Sequence, residues 1–182
     1  MIRLASSSQT RAKLLDRFGI EYIQSSVNFD EESIQSNSAR EFVYQASKGK
    51  LETAIKKYGL DTPILTADTV IATSDDEILR KAYTIDEARE ILKKQSGNTI
   101  SIVSAIHLKS NKLMFIDLSA THYKFAKFDE NDLQEYLKSG KWRGKAGACM
   151  VEGFCKKYIL KVDGLESTAM GLQVEKILPW ID

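Results

Sequence analysis

Cysteine, histidine, proline and tryptophan are all scarce in this chain, with two of each in 182 residues. Cys149 and Cys155 lie near each other, but His107 and His122 lie far from both, so no zinc-ligand spacing forms. Two cysteines make no disulfide framework, and free buried thiols in a reducing cytoplasm are expected. Pro63 and Pro179 are the only hard breaks, and the chain has no repeat, low-complexity segment or long linker. Neither sign of charge dominates. Lys+Arg at 26 and Asp+Glu at 25 leave a net charge of +1, which excludes a global field that would recruit nucleic acid or a membrane surface. No apolar run reaches membrane-spanning length, and the opening residues Met1 to Ala5 contain no signal-peptide core. A soluble, cytoplasmic protein without nucleic-acid or membrane partners is expected, and any attraction for an anion must be local.

What is present reads as a single alternating pattern. Ile2 to Ala5 is a short strand, Ser6-Ser7-Ser8 a loop, and Ala12, Leu14, Leu15 and Phe18 recur at helical spacing before Gly19. Ser38-Ala39-Arg40-Glu41 has the form of a capping box, followed by Phe42, Val43, Ala46, Leu51, Ala54 and Ile55 along one side of a helix. After Pro63, residues 64–72 form a β-rich, nearly continuous apolar run, as in a strand covered on both faces. Thr84-Ile85-Asp86-Glu87 opens another helix. Residues 99–109 and 113–127 read as two long strands joined in a hairpin. A short helix follows Asp129, residues 144–153 form a glycine-spaced loop or strand, and residues 158–162 form a further strand. From Leu165 the tail is helical. The pattern implies an α/β fold with a mixed twisted sheet and helices packed on it.

Five charged residues stand out against it. Asp68 lies in the middle of the apolar strand, where an unpaired carboxylate would cost several kcal/mol in lost hydration. Either a structural cation pairs with it, or a metal ion or reacting water does. Lys50 falls within the apolar stripe of its helix, so it either snorkels outward or meets an anion in a cavity. Arg11, in the first turn of its helix, opposes the macrodipole unless an anion lies between them. Ser6 and Ser8 would add donors to such a strand–loop–helix anion site; a plain serine N-cap with a solvated Arg11 is the other reading. Glu31 and Lys81 taken alone are surface charges. Together these residues are an inventory for cleaving a phosphate chain: acids to hold a divalent cation and activate water, and cations to take developing charge.

Several motifs, in order along the chain, resemble those of the Maf (septum formation) family. Residues 4–15, LASSSQTRAKLL, resemble its opening motif, and Ala67-Asp68-Thr69-Val70 resembles its ADT strand. Ser96-Gly97-Asn98-Thr99 resembles its SGxTH turn, residues 144–153, GKAGACMVEG, its GKAGAYGIQG loop, and Gly171-Leu172-Gln173 its GLP. The resemblance implies one domain over residues 1–182 with two lobes around a central cleft, as in the inosine triphosphatase group. It implies a nucleoside triphosphate pyrophosphatase that uses Mg2+ or Mn2+, and a possible homodimer. By matching position, Asp68 would accept the proton and, with Glu31, hold the metal. Ser6, Arg11, Lys50 and Lys81 would contact phosphates.

Departures from the pattern bear on the substrate. Thr10 replaces the first arginine of the usual pair, Glu152 replaces glutamine, Ile100 stands where histidine falls and Ala82 where proline follows the lysine. In the family, Thr10, Thr69 and Glu152 occupy positions that select the base. The thymidine/uridine triphosphate branch carries Arg, Thr and Gln there, while the 7-methyl-GTP branch carries a non-Arg residue, a residue other than Thr after the Asp, and Glu. This chain is mixed. A carboxylate at Glu152 could accept from a purine's N–H groups, unless it merely pairs with Lys156. The departures at Thr10 and Ile100 leave a second reading, a catalytically weak nucleotide-binding regulator of cell division.

Overall fold

The computed structural model describes all residues except Met150, Glu152 and Asp182. Its elements, in chain order, are β1 (Ile2–Ala5), α1 (Gln9–Arg17), β2 (Tyr22–Ser25), α2 (Ala39–Tyr58), β3 (Ile64–Thr73) and β4 (Ile78–Leu79). Then follow α3 (Ile85–Gln95), β5 (Thr99–Lys109), β6 (Met114–Phe125), α4 (Glu130–Ser139), β7 (Ile159–Asp163), α5 (Glu166–Ala169) and α6 (Val174–Ile177). The sheet runs in the order β2-β1-β3-β5-β6-β7, with β4 also paired to β3. It is mixed, as expected: β1 is parallel to β2 and β3, whereas β4 and β7 are antiparallel to their partners. The chain divides into two compact units, and the long strands β3, β5 and β6 each contribute residues to both.

The first unit comprises Met1–Thr69, Val103–Ala120 and Leu165–Asp182. Side chains alternate across β3, so the strand serves two cores. Leu65 and Ala67 pack with Leu4, Leu14, Leu15, Ile106 and Leu172. Ile64 packs on the other face with Ala5 and with Leu51 and Ala54 of α2. Thr66 and Asp68 share that second face by the same alternation, which places both against α2. Helix α1 starts where Ser8 accepts the Arg11 N–H at 3.3 Å. At α2 only half of the expected capping box forms. Ser38 accepts from Glu41 N–H, but the Glu41 carboxylate accepts from Asn37 N–H at 2.9 Å.

The second unit comprises Val70–Ile102 and Thr121–Gly164. Here Thr84 and Glu87 complete a reciprocal capping box at α3, and α4 runs from an Asp129 cap to a left-handed Gly140. The loop after α4 is pinned from three sides. Gln95 donates to Gly147 O at 2.6 Å, Tyr136 to Ala148 O at 3.0 Å, and Trp142 Nε1 to Leu137 O at 2.9 Å. Trp142 is buried, with Arg143 lying over its ring, so this basic–aromatic pair presents no ring for base stacking.

Several sequence expectations need correction. Cys149 and Cys155 are joined in a disulfide rather than free, their Cα atoms lying 6.5 Å apart, within reach of one bond. Thiol state therefore gives no indication of compartment. Two strands, β2 and β4, were not expected; four and two residues are too few to display a period. The helical tail is broken into α5, α6 and a 3-10 turn over Leu178–Trp180 that includes Pro179. Among the described residues no helix is long and apolar enough to cross a membrane.

Candidate active site

Because Leu4 lies opposite Leu65 in the parallel pair, β1 ends before Asp68 is reached, and the Ser6–Ser8 loop leaves the sheet beside the continuing β3. Ligands of open α/β sheets bind at such strand ends. Asp68 is only 5% exposed. Its Oδ1 accepts from Lys50 Nζ at 2.5 Å, and its buried Oδ2 has no hydrogen-bond partner among the described residues. Lys50 also reaches Glu31 Oε1 at 2.6 Å. Both readings of Lys50 are thus resolved into one: it meets anions, and they are the protein's own carboxylates. Glu31 is exposed and begins a 3-10 turn, Glu31–Ser33, capped by Asp30.

Arg11 forms the second half of the constellation. Its Nη1 donates to Ser6 Oγ at 3.2 Å, its Nη2 to Thr69 Oγ1 at 3.2 Å and its Nε to Gly171 O at 2.9 Å. Thr69 Oγ1 lies 3.0 Å from Ser104 Oγ, which itself donates to Asp68 O at 3.2 Å. The guanidinium is thereby fixed across α1, the serine loop, β3 and the C-terminal segment. Gly171 is required for this. Its φ is +94°, and a Cβ there would sit 3.0 Å from Thr69 Oγ1 and 3.4 Å from Arg11 Nε.

The charges of the group are coupled. Burial raises the Asp68 carboxyl above its ordinary range, and Glu31 adds to the rise, while Lys50 and Arg11 pull it down. Burial lowers the Arg11 guanidinium from its ordinary value, opposed by Asp68 and Glu31. Arg11 remains a cation at neutral pH. Desolvation wins for Asp68 because Lys50 reaches only one oxygen and the other is left bare.

Of the residues singled out in the sequence, the first unit therefore brings together Asp68, Lys50, Glu31, Arg11, Ser6 and Thr69. Thr10 is exposed on the first turn of α1 and has no part in this network. Lys81 is an exposed residue of the second unit, bridged through its backbone to Ala146. Glu152 lies outside the described residues. Sequence reasoning missed Ser104 and Gly171. A serine inside an apolar strand carries no signal of its own, whereas the glycine stood in a motif already noted.

A divalent cation is tested by the donor set. Among the described residues no three His, Cys, Asp or Glu side chains cluster as a metal cage. The bare Oδ2 of Asp68 and the carboxylate of Glu31 fit a hard cation that takes one or two protein carboxylates and completes its shell with phosphate oxygens and water.

Comparison with known proteins places the chain among its relatives. A nucleoside triphosphate pyrophosphatase of Nitratiruptor sp. is 62% identical over 179 residues, covering 97% of this chain and 96% of the relative. One of the same name from Helicobacter pylori is 40% identical over 175 residues, 96% of this chain and 92% of the relative. A nucleoside-triphosphatase / dITP/XTP pyrophosphatase structure from Mycobacterium abscessus matches 69% of this chain and 74% of its own at 16% identity and a TM-score of 0.48, too slight a likeness to carry an argument. The model of the Maf-like proteins matches residues 1–182, and the chain belongs to that family.

Proposed function

We propose that this chain is a nucleoside triphosphate pyrophosphatase, a hydrolase that converts a nucleoside triphosphate to the monophosphate and pyrophosphate. The observation that carries the reading is Asp68. It is a buried carboxylate, raised in pKa, with one oxygen held by Lys50 and the other unpartnered among the described residues, beside a fixed arginine. Two relatives bearing that name, one of them 62% identical, support it.

In this reading Asp68 accepts the proton from the water that attacks the α-phosphorus, and the bond to the bridging oxygen of the pyrophosphate group breaks. A raised pKa makes Asp68 a stronger base once deprotonated. Lys50 holds one oxygen and orients the carboxylate. Arg11, already aimed by Ser6, Thr69 and Gly171, meets charge on the departing phosphates, with Ser6 as a neighbouring donor. A bound Mg2+ or Mn2+, held by Asp68 and Glu31, would supply Lewis-acid polarisation of the phosphate chain. Lys81 as a further phosphate contact, and Thr10, Thr69 and Glu152 as selectors of the base, rest on the family motifs.

Purified protein with Mg2+ or Mn2+ is expected to release pyrophosphate and monophosphate from at least one member of a nucleotide panel that includes methylated bases. Orthophosphate as the only product, or no turnover on any base, would overturn the proposal.

A further inference from the structure

Glu31 is exposed, and none of the residues in its 3-10 turn is buried, yet its carboxylate is held 2.6 Å from Lys50. Lys50 is largely buried, but the Glu31 carboxylate is half-exposed, and an ion pair open to solvent on one side does little by itself to fix an unburied turn. The turn lies in the stretch between β2 and α2. Tyr58 fixes one end, donating to Ser26 O at 2.8 Å, and the Asn37 N–H bond to Glu41 fixes the other.

Between those ties stands an unusual helix position. Gly49 lies inside α2, where glycine is a poor choice because it loses more backbone freedom than alanine. Space is the reason for it. A Cβ on Gly49 would fall 2.2 Å from both Cε2 and Cζ of Phe29, so the ring rests directly on the helix backbone. Beside the ring opens a cavity of about 360 Å³, lined in part by Phe29, Ser33, Ile34, Tyr44 and Gly49. Next to the ring, then, the segment stands off α2. Gly49 immediately precedes Lys50, and Phe29 comes two residues before Glu31.

We propose that Phe29 and Gly49 form a latch, in which the ring seated in the glycine notch positions Glu31 against Lys50 and so beside Asp68. Both act through Glu31, as positioning residues. The latch itself stands on the geometry; its consequence for catalysis rests on the proposed function.

The test uses the full-length chain with Gly49→Ala, Phe29→Ala, Glu31→Gln and Gly49→Ala/Glu31→Gln. Hydrogen exchange over residues 29–36 reads the latch without reference to activity. Pyrophosphate release reads its consequence. Gly49→Ala should keep the melting temperature, because alanine favours the helix, yet exchange over 29–36 should rise as much as in Phe29→Ala. Its kcat should fall on the order of tenfold to a hundredfold, matching Glu31→Gln. The double variant should be no slower than Glu31→Gln alone. Unchanged exchange in Gly49→Ala, whatever the activity, overturns the latch. Raised exchange with unchanged kcat, or a double variant slower than Glu31→Gln, overturns its positioning role. A wild-type chain that releases no pyrophosphate sinks the proposed function instead, and the exchange arm still decides the latch.

Discussion

Lys50 Nζ stands 2.5 Å from Asp68 Oδ1 and 2.6 Å from Glu31 Oε1, so a single ammonium on α2 closes two carboxylates drawn from a strand and a loop. Lys50 works against the burial that raises Asp68, and without it both that burial and the repulsion from Glu31 act unopposed on this side. A base is active when deprotonated, so activity rises as pH climbs through its pKa. Lys50→Gln is therefore expected to move the acid limb of the kcat/KM profile to higher pH. A limb that stays in place would show that Asp68 is not the group titrating there.

Asp68→Asn separates reaction from fold. Loss of the base should lower kcat by about 10²- to 10⁴-fold. Stability should move the other way. With its folded pKa raised, Asp68 binds protons more tightly in the native than in the unfolded chain, and stability falls as pH rises from the ordinary carboxyl value through the raised one. Above that window the full cost of the buried charge is felt. Asparagine carries no charge, and Lys50 keeps Glu31 as a partner. At pH 8 the melting temperature of Asp68→Asn should not lie below that of the wild type, and thermal denaturation from pH 4 to 8 checks it.

Asp68 and Lys50 were legible in the sequence because each is a charge at a position whose period demands an apolar residue, and Arg11 because a cation in the first turn of a helix opposes the macrodipole. Glu31 and Lys81 had no such signal: taken alone they read as surface charges, and their particular roles came from the family resemblance. The structure brings Glu31 to Lys50, whereas Lys81 is an exposed residue of the other unit. Ser104, Gly171, Phe29 and Gly49 do their work through contacts between residues far apart in the chain, and no window of sequence displays those. The long elements followed their periods closely. The short strands β2 and β4 and the Cys149–Cys155 bond did not show, because pairing partners rather than local pattern decide them.

Gly171→Ala should damage the Arg11 fork from outside it. The new Cβ would meet Thr69 Oγ1 at 3.0 Å and Arg11 Nε at 3.4 Å, on a backbone at φ +94° that alanine rarely adopts. Backbone strain of this kind costs about 1–3 kcal/mol. A lowered melting temperature together with a raised KM is expected, since Arg11 would lose its aim at the phosphates. Arg11→Lys should raise KM without the loss of stability that strain brings, because an ammonium cannot serve three acceptors in a fixed plane. Equal KM in Gly171→Ala and wild type would separate the fork from substrate binding.

His107 carries the last prediction. The ring is fully buried, its Nδ1 lies 3.0 Å from Ser47 Oγ, and its Nε2 has no partner among the described residues. Burial first, and the charge of Lys48 second, push its pKa down from 6.5 to about 4. Between those values the unfolded chain binds a proton that the folded chain refuses, so stability is lost as pH falls from 6.5 towards 4. By linkage the loss reaches up to about 3 kcal/mol. His107→Asn can keep a hydrogen bond to Ser47 but cannot titrate. The variant should be less stable than the wild type at pH 7 and should lose less stability on going to pH 4.5, as read by urea unfolding at both. Asp68, with its raised pKa, contributes a slope of the opposite sign, but it is common to both proteins and cancels in the difference. Parallel pH curves for the two proteins would mean that His107 takes up its proton without cost, and that water reaches it in the folded state.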